Sequence, residues 1–189
     1  MYAVFPLNVV VLPEESVALH IFEPRYRQLF QDYKSGKPFV ILHSGSKGLA
    51  KIGSLVSIEE IIKEFPDGTI DIVVKGIAHI QIHNFIPLYP SKLYSAVEGS
   101  ELPVFSKANN ALIEKSIPYF NSIKRKINSK EFISTYSIAR MLCLEEDSKL
   151  LLLASNSNQE INQLLLNELK LLATMYNQEM QLKERIFLN

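Results

Sequence analysis

His79 and His83 stand in an H-x-x-x-H spacing, which on a helix would turn both rings toward one zinc ion. They fall instead among Ala78, Ile80 and Ile82, an apolar alternation with the two-residue period of a strand. On a strand the two rings are roughly 13 Å apart, too far for bonds of about 2 Å to a single ion. Both are expected to face solvent. His20 and His43 lie in other strands and bring no thiol or acidic companions, so no metal site and no cofactor are predicted.

Ser44, Ser46 and Lys47 contain the residue types of a serine–lysine dyad. They are neighbours in a short loop bounded by Gly45 and Gly48, and adjacency in a loop does not orient a base toward a hydroxyl. That loop and the Gly36-Lys37-Pro38 step both lack the G-x-x-x-x-G-K-[ST] spacing that cradles phosphate, and no G-x-S-x-G elbow occurs. Cys143 is the one cysteine, which excludes an internal disulfide and suits a reducing compartment. Its place in an apolar helical pattern predicts an inert, buried thiol. No catalytic residue is predicted.

The most specific run in the chain is FPLNVVVLPEESVALHIFEPRYRQLF, residues 5–30. Leu7, Val9 and Val11 predict one short strand, and Val17, Leu19 and Ile21 a second. Pro6 and Pro13 set the first at an edge or give it an irregular start. Glu23-Pro24 then predicts a helix start, since proline at the first helical position loses no bond and a carboxylate suits the positive end of the dipole. Tyr26, Leu29, Phe30 and Tyr33 make its apolar face, and Gly36 ends it. Glu23, Arg25 and Arg27 are read first as residues that cap the helix and pair with local carboxylates or carbonyls, with a direct role in ligand binding as the alternative.

Strand patterns continue through Phe39–Leu42, then Leu49–Phe65 with a bulge expected at Gly53. Pro66-Asp67-Gly68 predicts a reversal into Ile70–Val74, followed by Ala78–Ile86 and Leu93–Val97. Six or seven strands and one helix in about 100 residues suggest a closed or partly closed barrel, because closure removes exposed edges. Near residue 100 the period turns helical. Leu112–Ile127, kinked or restarted at Pro118, Phe132–Cys143, a segment Lys149–Ala154 capped by Asp147, and a long helix opened by a Ser157/Glu160 capping box are predicted. The expected fold class is α+β, with a β-barrel subdomain over 1–103 and a helical bundle over 104–189.

Across 189 residues the formal net charge is zero and apolar content is 47%, ample for a core but without a global field for nucleic acid or an anionic membrane. The N-terminus has no basic region or cleavage site, and no apolar run approaches the roughly 18 residues of a membrane span. A soluble, cytoplasmic protein is expected.

Residues 5–30 closely resemble the opening of the Lon substrate-binding domain, with Glu23, Pro24, Arg25 and Tyr26 as the signature. The similarity continues through KIGSLVSIEEI, the Asp67-Gly68 turn and IVVKG, then SIARMLCL and KLLLLASNSNQEINQLLLNEL. Where the family carries arginine and phenylalanine this chain has His79 and Ile80, and an arginine usual near Ile161 is missing. The resemblance implies a PUA-like pseudobarrel followed by a helical bundle. It also implies a non-catalytic module that binds unfolded or target polypeptides, as an adaptor or receptor in protein quality control and with a separate protease as a partner.

Two local features bear on binding. Ile86-Pro87-Leu88-Tyr89-Pro90 is more apolar than a connector requires, and either packs between the two halves or lines a peptide-binding groove through Pro87, Leu88 and Tyr89. Lys124, Arg125, Lys126 and Lys130 form a basic cluster, read first as a solvated face. It leaves an RNA-binding PUA-like module as the alternative, although the neutral charge disfavours nucleic acid. Ile186, Phe187 and Leu188 need burial on the bundle or against a second copy, so a homo-oligomer is also considered. Purified protein is expected neither to hydrolyse ATP nor to cleave casein when ATP and magnesium are supplied; proteolysis abolished by a single serine substitution would contradict this reading.

Overall fold

The computed structural model describes residues 1–45, 48–125 and 134–187, with side chains through Lys183. It is an α+β protein, a mostly antiparallel sheet with five helices among the described residues. The chain divides into two compact units, Met1–Val104 with Glu145–Ala154, and Phe105–Leu144 with Ser155–Asn189. The expected division at 103/104 had placed 145–154 in the helical half. That segment joins the sheet unit because its buried groups, Lys149, Leu152 and Leu153, include a cation whose partners lie near the N-terminus.

In the first unit the strands are β1 (Tyr2–Leu7), β2 (Ser16–Ile21), β3 (Phe39–Gly45), β4 (Gly48–Leu49), β5 (Ile52–Glu64), β6 (Ile70–Ile86) and β7 (Ser95–Leu102). Pairing runs β1-β7-β6-β5-β3, and β3 returns to β1 in parallel, so these five strands close on themselves. β2 lies off this circuit on β6, and β4 hangs on β3 alone. Closure explains why β1 and β3 read as continuous apolar runs: both of their faces are buried. Val4, Val40, Leu42, Leu55, Ala78, Ile80 and Val97 form one cluster. The alternate residues Ala3, Phe5, Phe39, Ile41 and Val56 pack in another with Tyr26, Leu29 and Phe30 of helix α1 (Pro24–Tyr33).

Several elements sit where period and punctuation place them. Pro24 opens α1, and Gly68, at φ +83, turns β5 into β6 with its N–H donating to the Phe65 carbonyl. Others differ. The first strand is Tyr2–Leu7, whereas Val9–Leu12 has no ladder; β7 pairing ends at Val4, so Pro6 owes no N–H on that side. The predicted strands on either side of Gly76 are one strand, β6. Gly76 is required there because a Cβ would strike the Leu12 carbonyl oxygen. β5 carries its irregularities between Leu55/Val56, Ile58/Glu60 and Ile61/Lys63, and not at Gly53.

The second unit holds α2 (Asn110–Ser122), α3 (Thr135–Leu142) and α5 (Asn158–Phe187), while α4 (Glu146–Leu153) belongs to the first. Asn109 caps α2 by accepting from Leu112 N–H, and α2 continues through Pro118. Ser134 and Ser137 box the start of α3. Buried Asn162 ties the unit together, accepting from Asn109 N–H and donating to the Lys107 and Asn158 carbonyls. Cys143 is exposed, contrary to the expected buried thiol, because it is the left-handed cap that follows α3. Ser157 accepts from Glu160 N–H, and Glu160 reaches Asn156 N–H, one residue before the expected box. α4 is preceded by Glu145 at its cap, with Asp147 in the first turn. Predicted features at Ile127, Phe132 and the side chains of Ile186, Phe187 and Leu188 lie outside what is described.

Two stability measurements follow from this packing. Leu29 is buried between α1 and the sheet, so Leu29→Ala should cost roughly 2 to 4 kcal/mol in denaturant unfolding. Glu23 makes no side-chain cap and only an exposed ion pair with Arg25, so Glu23→Ala should cost under about 0.5 kcal/mol. His79 is 1% exposed, with Nδ1 lacking any partner, which corrects its expected place facing solvent, whereas His83 is exposed as expected. Burial holds its pKa below the ordinary 6.5, and a bond to the Pro103 carbonyl only partly opposes this. The unfolded chain therefore binds the proton more readily than the native one, and stability should be full above about pH 6.5 and decline as pH falls through the depressed native value. His79→Gln should flatten the part of that slope seen in urea unfolding between about pH 7 and 5.

Candidate functional site

The residues that could form a site are set by how α4 is held. Lys149 Nζ is buried, donating to the Val10 carbonyl at 3.2 Å, Glu15 Oε1 at 3.4 Å and Glu146 Oε1 at 3.5 Å. Glu146 Oε2 accepts from Val10 N–H, and Glu15 Oε2 from Leu12 N–H at 2.7 Å. Ser54 Oγ accepts from Val11 N–H at 3.0 Å. Three consecutive backbone donors of a buried, ladder-free segment thus end on side chains, one of them on α4.

With α4 fixed in this way, a cleft of about 1020 Å³ opens within the first unit. One side is His43, Ser44 and Gly45 of β3 with Gly48–Ile52; the other is Glu145–Asp147, Leu150, Leu151 and Ala154, and Asn8 adds to the lining. Leu49 and Leu151 are 43% and 57% exposed, one on each side. β4 has only β3 as a partner among the described residues, leaving its outer edge free. An open cleft of this size with apolar walls suits a length of extended chain more than an enclosed small molecule.

Of the residues singled out by sequence, His43 and Ser44 line this cleft and Ser46 and Lys47 lie outside the described residues, whereas Glu23, Pro24, Arg25, Tyr26 and the Pro87–Tyr89 loop are not part of it. Arg25 pairs with Glu23 at 2.8 Å and its guanidinium lies 4.6 Å from the centroid of the Tyr26 ring, which meets Phe5 in a tilted contact with centroids 4.0 Å apart. The neighbouring Arg27 donates to the Asp67 carbonyl, fastening α1 to the β5–β6 turn. Next to α1, the loop after β6 is tightly held: Tyr89 N–H donates to the Tyr94 carbonyl, Ser95 Oγ to the Pro87 carbonyl, and Leu93 N–H to Gln28. Lys92 and Tyr94 both donate to Asp32 at 2.7 Å; burial pushes that carboxyl up, but the two bonds outweigh it and leave its pKa lowered. Tyr89 packs on the core, whereas Leu88 is exposed.

In the basic cluster, Arg125 donates to the Met141 carbonyl, and Lys126 and Lys130 lie outside the described residues. His83 donates to or accepts from Ser100 at 3.0 Å, and His20 meets Asp71 at 2.6 Å. Among the described residues no group of His, Cys, Asp and Glu is placed to hold a metal, and no helix is long and apolar enough to cross a membrane.

The model of the ATP-dependent protease La (LON) substrate-binding domain matches residues 1–175. The chain belongs to this family. A Lon protease from Heliobacterium modesticaldum is 30% identical over 97 residues, half of this chain and 12% of that protein, so the chain spans a small part of its relative's length. The fold is that of a Lon N-terminal domain protein from Xanthomonas campestris, with TM-score 0.67 and 21% identity over 87% of this chain and 96% of that one. The N-terminal domain of Mycobacterium avium complex Lon protease gives TM-score 0.60 and 16% identity over 89% and 97%. The match reaches the substrate-binding domain of the Lon family; no ATPase or protease module is seen in it.

Proposed function

We propose that this chain is a non-catalytic Lon-family module that binds unfolded or target polypeptides, as an adaptor or receptor that hands them to a separate protease. The observation that carries this reading is the cleft with an exposed leucine on each wall, Leu49 and Leu151, beside β4, which pairs with β3 alone among the described residues. An extended segment entering there would gain main-chain bonds from β4 and bury apolar side chains against α4. Leu88, displayed on the braced loop of Pro87–Tyr89, adds an apolar contact elsewhere on the same unit. In this reading Glu23, Pro24, Arg25 and Tyr26 hold α1 in place and do not touch the ligand. The closed strands are the PUA-like pseudobarrel and α2, α3 and α5 the helical bundle that the family resemblance implies.

Binding of a labelled, reduced and alkylated model protein, followed by fluorescence anisotropy, should persist to physiological salt, since screening weakens charge pairs far more than apolar burial. Leu49→Asp with Leu151→Asp should weaken it by about tenfold or more. Changing Lys124, Arg125, Lys126 and Lys130 to glutamine should leave it unaltered. Salt-sensitive binding to structured RNA, lost on those glutamine substitutions and accompanied by no affinity for unfolded protein, would replace this reading with the RNA-binding one.

A further inference from the structure

Residues 8–13 and helix α4 are fastened to the sheet by side chains, whereas the strands are fastened to one another by ladders. Val10, Val11 and Leu12 are buried, and their N–H groups end on Glu146, Ser54 and Glu15. α4 is held in return by Lys149, which reaches the Val10 carbonyl and Glu15, and by buried Leu152 and Leu153. At eight residues it is shorter than a helix that persists alone in water, so leaving the sheet and losing its helical bonds are one event. Neither piece can lift without the other. If residues 8–13 leave, Lys149 loses the Val10 carbonyl and Glu146 its N–H partner; if α4 leaves, Val10 loses both of those bonds and Glu15 its cation. The first piece has defined ends. It runs from the last β1–β3 pair, Leu7 with His43, to Glu14, a non-glycine residue at φ +63 whose N–H donates to the Gly76 carbonyl. Between them the Leu12 carbonyl lies so close over β6 that a Cβ on Gly76 would come within 2.1 Å of its oxygen.

We propose that residues 8–13 and α4 form a strap that opens and closes as one unit without the closed strands unfolding, and that the cleft exists only while the strap is shut. The strands differ from the strap in kind. β1, β3, β5, β6 and β7 pair around a closed circuit, so each of them is bonded on both sides, while the strap hangs on a few side chains and a small set of apolar groups. Opening it therefore costs less than unfolding the strands. The link to the cleft follows from the lining, which takes Asn8 from one piece and Leu150, Leu151 and the first turn of α4 from the other. That the strap thereby decides when a ligand can enter rests on the polypeptide reading above; the opening itself does not.

Native-state hydrogen exchange of the whole chain, read residue by residue by NMR in low concentrations of urea, tests this. In the wild type the amides of Val10, Val11 and Leu12 and those of Lys149 and Ala154, which bond within α4, should converge on one opening equilibrium. They should exchange about tenfold or more faster than Val40, Ile41 and Ile80 of the closed strands. Lys149→Met should speed the whole strap by a further factor of about ten or more. Gly76→Ala, whose added methyl presses on Val11 and Leu12, should nonetheless speed Lys149 and Ala154 along with them. Strap amides that exchange only at the rate of Val40, Ile41 and Ile80 would show that nothing opens short of global unfolding. Separate opening equilibria for Val10–Leu12 and for α4 in the wild type, or acceleration in Gly76→Ala confined to Val10–Leu12, would show two pieces in place of one. Either result overturns the inference, and the wild-type measurement decides it even where a variant does not fold. Failure to bind unfolded protein would refute the polypeptide reading and leave these exchange rates as they are.

Discussion

A buried ammonium decides the architecture of the first unit. Taking Lys149 out of water is costly unless its charge and its donors are matched, and here two carboxylates and a carbonyl do so. Each carboxylate is used twice. Glu15 and Glu146 bind the lysine with one oxygen and a backbone N–H, of Leu12 and Val10, with the other. Removing the lysine would leave those acids facing each other in a partly buried place, so the loop of residues 8–15 and helix α4 are stable only together. The consequence is topological: a helix that follows forty residues of the second unit returns to the sheet. That return builds one wall of the cleft.

Much of the first unit is legible in the sequence because its signals are local. The Glu23-Pro24 start, the Tyr26/Leu29/Phe30 face and the Asp67-Gly68 turn each depend on neighbours within a few residues, and each stands as the residues imply. The misplaced strand at Val9–Leu12 shows the limit of that reasoning. A buried irregular segment is as apolar as a strand, and what distinguishes it is where its N–H groups go. Val10, Val11 and Leu12 donate to Glu146, Ser54 and Glu15, two of which are far away in sequence. His79 misled for a related reason. Strand alternation placed it opposite Ile80 and therefore toward solvent, but at this point of β6 the successive residues Ala78, His79 and Ile80 are all buried, while His83 further along is exposed, so both faces are covered only locally.

The cleft was not legible, and the reason is physical. Its walls come from residues 43–52 and 145–154, about a hundred positions apart, and although His43 and Ser44 are residue types that do chemistry, nothing in either run points to the other. Leu49 and Leu151 are single exposed leucines, unremarkable until the fold sets them on facing sides. The helical period around Lys149–Ala154 was visible, but periodicity assigns a helix to its neighbours in sequence, and the sheet claimed it through a side chain. The only available signal was a lysine inside a run of leucines. A charge there is either a break in the apolar stripe or a buried ion in search of partners, and composition cannot tell which.

The same network also bears on what the cleft can do. Because Glu146 is held on the inner side of the first turn of α4, its neighbours Glu145 and Asp147 are left at the surface, and Leu150 and Leu151 follow one turn later. Charge and apolar surface are therefore ordered along the helix axis instead of mixed. If the cleft takes polypeptide as proposed, a surface ordered in this way would discriminate between segments by the order of their side chains, while its exposed leucines would ask for no particular residue beyond that order. Under the reading proposed above, such a site would bind many polypeptides weakly and rank them.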